Sequence, residues 1–386
     1  MDFEPLDTSD IDRWIGQPIG GEQLKEPITV GDLRRWVQAM HNPNPVHYDE
    51  TWPRAREAGG LIAPQSMILA CAIRHGTQTS MQGGFEGVRQ MNGGDEWWFY
   101  KTVSVGDLVT SVRLAFDYKI RETPFAGPTI FQRGDITYIN QHGQVLARQR
   151  STSIRWLQAN FERAAAAKAK PSGAPKDASE PVWTSDQIAG VEEERLTYAR
   201  GLREGASPTL EDIAVGTKLP RRVIGPHSIQ SFTTEQRSFL YTAWGALYDD
   251  GIPATPRKIR AAEAAIDPYF ADGLYQGASA GHTDSKAAGQ RGMPRAYGAG
   301  GAICAYVVDY VSNWAGERGR AEHLSVQYRN PVLVGDLTYV SGEVVHIGAP
   351  NADGYALVDL SVQTADQNGK VGTPGKATVR LPARRA

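Results

Sequence analysis

The sequence predicts an α+β chain made of two tandem copies of one unit, each a central helix wrapped by a curved antiparallel sheet. Three observations carry that prediction. Short motifs recur in the same order at nearly one offset: VGDLVT at 105–110 returns as VGDLTY at 334–339, NQHG at 140–143 as DQNG at 366–369, and HYD at 47–49 as HTD at 282–284. Any one of these matches is noise, but three in one order make a repeat. Each copy also sets an apolar helical run ahead of about four alternating strand runs, an order that buries a helix against a sheet. Between the copies lies NFERAAAAKAKPSGAPKDASEP, whose Ala, Lys and Pro content reads as a linker. The first copy is placed at 1–160, the linker at 161–185 and the second copy at 186–386.

Taken in order, ITVGDLRRWVQAM spaces Leu33, Trp36, Val37 and Met40 as one face of a short amphipathic helix. The polar loop HNPNPVHYD follows, and then the apolar helix PQSMILACAIRH. DEWWFYKTV leads as a strand into the Val-Gly-Asp turn, and LVTSVRLAFDYKIRE alternates as a strand does. GPTIFQRGDITYINQHGQVLARQRSTSIRW reads as two strands joined at Asn140–Gly143, residues that tolerate positive φ. In the second copy MPRAYGAGGAICAYVVDYVSNWAG is the long apolar helix. Its strands are HLSVQYRNPVLVGDLTYVSGEVVHIG and GYALVDLSVQTADQNGKVGTPGKATVRLP. The segment 244–276 has no counterpart in the first copy and is read as a lid or pocket wall.

Composition bounds the function. A chain of 386 residues, 41% hydrophobic and 22% charged, suits two ordinary domains with a core each. A net charge of -2 without a basic stripe argues against nucleic acid. MDFEPLDTSDIDRW has neither a cationic n-region nor an apolar h-segment, and no apolar run is long enough for a bilayer. A cytoplasmic protein without membrane contact is expected. The two cysteines, Cys71 and Cys304, are too few for a disulfide framework or a zinc site, so no metal is expected.

The loop NPNPVHYD, the following AGGLIAP, the VSVGDLV turn and the GQVLARQRST strand resemble the MaoC-like acyl dehydratases, here in the form similar to the fatty-acid-synthase dehydratase domain. GHTDSKAA, MPRAYGAGG and YRNPVLVGDLTYVSGEVV are similar to the MaoC-like partner domain, that of the (R)-specific enoyl-CoA hydratases. The resemblance implies a double hotdog fold and hydration or dehydration of acyl-CoA thioesters, with larger members acting on steroid or branched lipids. It implies no organic cofactor, because the thioester is itself the electron sink and CoA travels as part of the substrate.

Adding water to a 2-enoyl thioester needs a base, an acid and donors for the thioester oxygen. The family pattern is an Asp, a His five positions later and an Asn between them, with a backbone N–H at the start of the central helix. Carried onto this sequence, the His falls on His47, the Asn on Asn44, and the Asp position holds Asn42. An amide cannot accept water's proton at neutral pH. In the second copy the His falls on His282, and Gly277 stands where the Asp would be. Tyr297, Gly298 and Gly300, in YGAGG, offer a helix entrance able to bring backbone donors near a ligand.

Three ways around the missing acid are open: Asp249 or Asp250 in the insertion supplies it, with Asp284 able to orient His282; His47 or His282 works alone through a shared proton network; or a separate subunit supplies the Asp. The catalytic candidates are therefore His282, His47, Asn42 and Asp250, with Asn44, Asp284, Tyr297, Gly298 and Gly300 binding substrate. Asn42 and Asn44 can equally be turn residues. Asp107 and Asp336 read as turn acids, His41 and Asp49 as solvent-facing, and Trp97, Trp98 and Phe99 as sheet core.

The leading expectation is a hydro-lyase acting on an enoyl-CoA with a long or bulky acyl group, as a homodimer or beside another MaoC-like subunit. The first alternative is a non-catalytic acyl-CoA-binding or scaffolding subunit. The second is a thioesterase, which would want an acid on the central helix; Asp309 is the one available, well past its first turn.

Overall fold

A computed structural model describes residues 2–24, 26–71, 79–168, 179–205, 207–240, 280–289 and 292–384. The insertion 244–276, with Asp249 and Asp250, and Gly277 lie outside the described residues.

The first copy contributes strands β1 (Pro18–Gln23), β2 (Val88–Phe99), β3 (Thr110–Thr123), β4 (Gly127–Ile139) and β5 (Val145–Leu157). The second contributes β6 (Arg222–Ile224), β7 (Arg320–Gln327), β8 (Thr338–Ile347), β9 (Tyr355–Ala365) and β10 (Val371–Pro382). They form one antiparallel sheet in the order β1-β3-β4-β5-β2-β7-β10-β9-β8-β6. Read from the middle outward, the two halves have the same order. The predicted repeat is therefore a repeat of topology as well as of motif.

The halves join where β2 pairs with β7, with Asp95 opposite Val326 and Trp97 opposite Leu324. A Cβ on Gly94 would lie 2.4 Å from the Val326 carbonyl oxygen, so only glycine lets the strands approach there. The pleat buries Trp97 and Phe99 and turns Trp98 outward, between the guanidinium groups of Arg148 and Arg150.

The helices on this frame are, in order, α1 (Ser9–Asp12), α2 (Val30–Ala39), α3 (Pro53–Glu57), α4 (Met67–Ala70), α5 (Gln158–Lys168) and α6 (Ser185–Glu204). They continue with α7 (Ile229–Arg237), α8 (Ala280–Thr283), α9 (Ser285–Gly289) and α10 (Gly300–Ala315). Three of them start alike: Thr29, Thr184 and Ser228 each close a capping box with the residue three positions on, Asp32, Gln187 and Ser231. The central helix α10 is buried along nearly its whole length and belongs to one core that includes Leu33, Trp36, Met67, Trp97, Leu324 and Leu360, from both copies.

The repeated turns are built from repeated chemistry. Asn140 Oδ1 accepts from His142 N (3.1 Å) and Gln144 N (3.0 Å), and Asp366 Oδ1 accepts from Asn368 N (2.8 Å) and Lys370 N (2.9 Å). Gly143 and Gly369 close these hairpins at φ 72° and 78°, where an L side chain would be strained. Asp107 and Asp336 are turn acids: the first accepts from Ser104 N (2.8 Å), the second from Gln367 Nε2 (3.0 Å) and from Arg295 (3.2 Å).

One reading changes. The stretch taken as linker is helical through Lys168, because α5 packs on β4 and β5, with Ala164 buried and Asn160 exchanging hydrogen bonds with the backbone of Glu4. The first-copy apolar helix is described as Met67–Ala70, and 72–78 lie outside the described residues. No helix among the described residues is long and apolar enough to cross a membrane. The described residues also hold no cluster of three His, Cys, Asp or Glu arranged for a metal ion.

Candidate active site

The loop 41–49 hangs from the end of α2, where His41 takes φ 51°. Arg222, 2% exposed, reaches across from β6 and donates to the carbonyls of Met40 (2.8 Å), His41 (2.9 Å) and Tyr306 (3.2 Å). One guanidinium thus ties the loop to the central helix of the other copy.

Within the loop, Asn42 is 4% exposed, and its Oδ1 accepts from Asn44 N and Asn313 Nδ2, both at 3.1 Å. Asn44 Oδ1 caps the short turn Pro45–His47 through Val46 N (3.3 Å), while its Nδ2 donates to Asn313 Oδ1 (3.0 Å). Asn313 on α10 therefore brackets both loop amides. His47 is buried, and its Nδ1 lies 2.6 Å from the Ile62 carbonyl. A carbonyl only accepts, so Nδ1 carries the proton and Nε2 the lone pair. Burial holds this imidazole down, to about 4, against the opposing pull of the Ile62 carbonyl, so it is neutral at physiological pH.

Asp309 on α10 is fully buried beside Asn42, Ser66 and Arg222. Burial raises its carboxyl to about 6, although those three neighbours pull it down. Neither oxygen completes a hydrogen bond of ordinary geometry among the described residues. In front of the loop is a cleft of about 430 Å³, lined in part by Asn42, Pro43, Tyr48, His41, Arg34 and Arg195. Asp49 turns back on Thr51, accepting from its N (3.0 Å) and Oγ1 (2.6 Å).

The second copy repeats the imidazole geometry. His282, on α8, places Nδ1 2.6 Å from the Tyr297 carbonyl, fifteen residues downstream, as His47 does with Ile62. The Tyr297 ring meets the imidazole edge-on at 4.5 Å. Asp284 spends its carboxylate on Lys286 N (2.7 Å) and Ala287 N (3.4 Å), capping α9, so the Nδ1 side of His282 is oriented by a carbonyl.

The glycines of the helix entrance seat aromatic rings. A Cβ at Gly298 would lie 3.2 Å from Phe232, at Gly300 3.1 Å from Tyr328, and at Gly301 3.2 Å from Phe239. Gly298 N is already committed to the Val332 carbonyl at 2.8 Å. Asp250 lies outside the described residues.

Several site residues escaped the sequence reading. Glu235 on α7 is 1% exposed; its Oε1 accepts from Tyr306, and burial pushes the carboxyl up to about 8. Arg222 and Asn313 also went unread. Only Asp309 carried a signal, as an acid inside a helix apolar all round.

A MaoC-like dehydratase superposes with TM-score 0.59 at 16% identity, covering 97% of this chain and 100% of that one. A conserved hypothetical protein from Mycobacterium tuberculosis, described as having a double hotdog fold, superposes with TM-score 0.53 at 14% identity over 95% and 96% of the two chains. A MaoC-like dehydratase from Phytophthora capsici gives TM-score 0.51 at 10% identity over 97% and 99%.

The chain is a double hotdog. Its residues 13–149 match the FAS1-like dehydratase domain region. The double hotdog is also 28% identical over 168 residues to a probable enoyl-CoA hydratase alpha subunit from Thermomonospora curvata. That match takes in 40% of this chain and spans about half, 53%, of the relative.

Proposed function

We propose that this double hotdog adds water reversibly to 2-enoyl-CoA thioesters carrying long or bulky acyl groups. The observation that supports the reading is the pair of imidazoles, each fixed through Nδ1 on a carbonyl fifteen residues on, with burial keeping the His47 ring neutral. In the forward direction Nε2 takes a proton from water and the water oxygen bonds C3. The C2–C3 π pair moves toward the thioester oxygen, then returns to C2 as that carbon takes the proton from Nε2. Backbone N–H groups at a helix start are the donors for the developing enolate oxygen. The cleft beside Asn42 falls within the size of small-molecule sites, and Arg195 in its lining suits an anionic carrier, while Arg34 there is paired with Glu50 at 2.7 Å. CoA enters as part of the substrate, and no further cofactor is needed.

The test is His47→Ala and His282→Ala on a panel of 2-enoyl-CoAs. At least one should lower kcat by about 10²–10⁴ at an unchanged Tm, the range for losing a general acid–base group. Wild-type rates in both variants would overturn the reading.

One observation favours a second reading. Asn42 stands where the family acid would be, and its oxygen is fully engaged by Asn313 and Asn44. A non-catalytic acyl-CoA-binding subunit of a hetero-oligomeric hydratase would tolerate that. Calorimetric titration with enoyl-CoAs, run beside turnover assays with and without a second MaoC-like subunit, separates the two: tight binding without turnover selects the binding subunit. Sedimentation would report whether the chain alone is a homodimer.

A further inference from the structure

We infer that the carboxylate absent from the first-copy loop is supplied across the copy boundary: Asp309, on the central helix of the second copy, is the positioning acid behind Asn42 and His47. The inference rests on the hydratase reading for its chemistry and on geometry for its place.

Asp309 is the sole charged residue of Gly300–Ala315, and it is 0% exposed. A carboxyl so placed is costly unless paired or well hydrogen-bonded. No ion pair to it is formed among the described residues, and the neighbouring Arg222 spends its donors on three carbonyls. One turn further on, Asn313 brackets Asn42 and Asn44. The 309 and 313 side chains share a helix face, so α10 presents a polar stripe to the loop that carries His47.

Two donors converge on the carboxyl by elimination. Asn42 receives a backbone N–H on one side-chain atom, which must be its oxygen; its Nδ2 has no other acceptor among the described residues and lies beside Asp309. Ser66 Oγ accepts from Trp36 Nε1 at 2.9 Å, so its own hydrogen is free to turn to Asp309. Ser66 stands at the start of α4. A single carboxyl thus lies beside both Asn42 and Ser66. Such contacts are commonly loose without substrate and tighten when it binds. The carboxylate would hold the Asn42 amide, and with it the loop that carries His47, in one orientation.

Around Asp309 the charged and titratable groups are Arg222 from β6 and Tyr198 from α6, with His41 beyond Arg222. Tyr198 lies beside Asn313.

The experiment compares wild type, Asp309→Asn, and the swap Asn42→Asp/Asp309→Asn, which keeps the atoms and the charge and moves the carboxyl to the family position. In an active enzyme, Asp309→Asn should lower kcat at least about tenfold with KM within about threefold, and the swap should recover most of the loss. An unchanged kcat in Asp309→Asn, or a folded swap that recovers nothing, overturns the inference.

A second readout needs no turnover. The side-chain amide of Asn42, followed by ¹⁵N NMR from pH 4.5 to 8, should show a step near pH 6 that Asp309→Asn abolishes. A wild-type curve without that step overturns the inference, and the swap supplies a charge-matched background if the single variant fails to fold. If wild type hydrates nothing on the panel, the hydratase reading fails by itself and the Asn42 amide titration decides the role of Asp309.

Discussion

Arg222 shows what single residues do here. Its guanidinium serves carbonyls on two different copies, 84 and 182 residues away in sequence, from a position 2% exposed. Arg222→Met should leave those oxygens without donors and cost roughly 2–4 kcal/mol, measured as a lower midpoint in urea unfolding. Glu235 predicts a pH effect of definite sign. Its folded pKa, about 8, lies above the value of an unfolded glutamate, so the folded protein holds a proton that the unfolded chain releases. Stability from this group therefore falls as pH rises from about 4.5 through 8. Glu235→Gln should flatten that fall, giving a higher Tm than wild type at pH 8 and little difference at pH 5. Neither residue was legible in sequence, because each acts through partners brought up by the fold. His47 and His282 were legible: their loops repeat locally, and the fifteen-residue reach to a carbonyl repeats with them.

Among the elements, strands with clean alternation were read directly from sequence, and so was α2 with its apolar face. The edge strands were not. β1 is PIGGEQ, with two glycines and no alternation, and β6 is three residues long. Each exists because a neighbouring long strand offers it a free edge. Helix α6 was also missed, although Thr184 and Gln187 form a capping box of the kind that announces a helix start. The box on α2 holds the helix that leads into the first histidine loop. Thr29→Ala, which removes the acceptor for Asp32 N at 3.1 Å, should cost about 1 kcal/mol in thermal unfolding.

At the scale of the whole molecule, the core joins residues of both copies and the sheet runs through the junction. The two halves should unfold together in one calorimetric transition. Gly94→Ala, which drives a Cβ to within 2.4 Å of the Val326 oxygen, should lower the Tm of that single transition, at a cost of roughly 2–4 kcal/mol. The β2–β7 junction has one more consequence. When two identical subunits meet about a twofold axis, every substitution is made twice, once on each side. Here the partners are covalently joined, so each substitution is made once. One loop can surrender its acid while the opposite helix acquires a different one, and neither change is imposed on its twin.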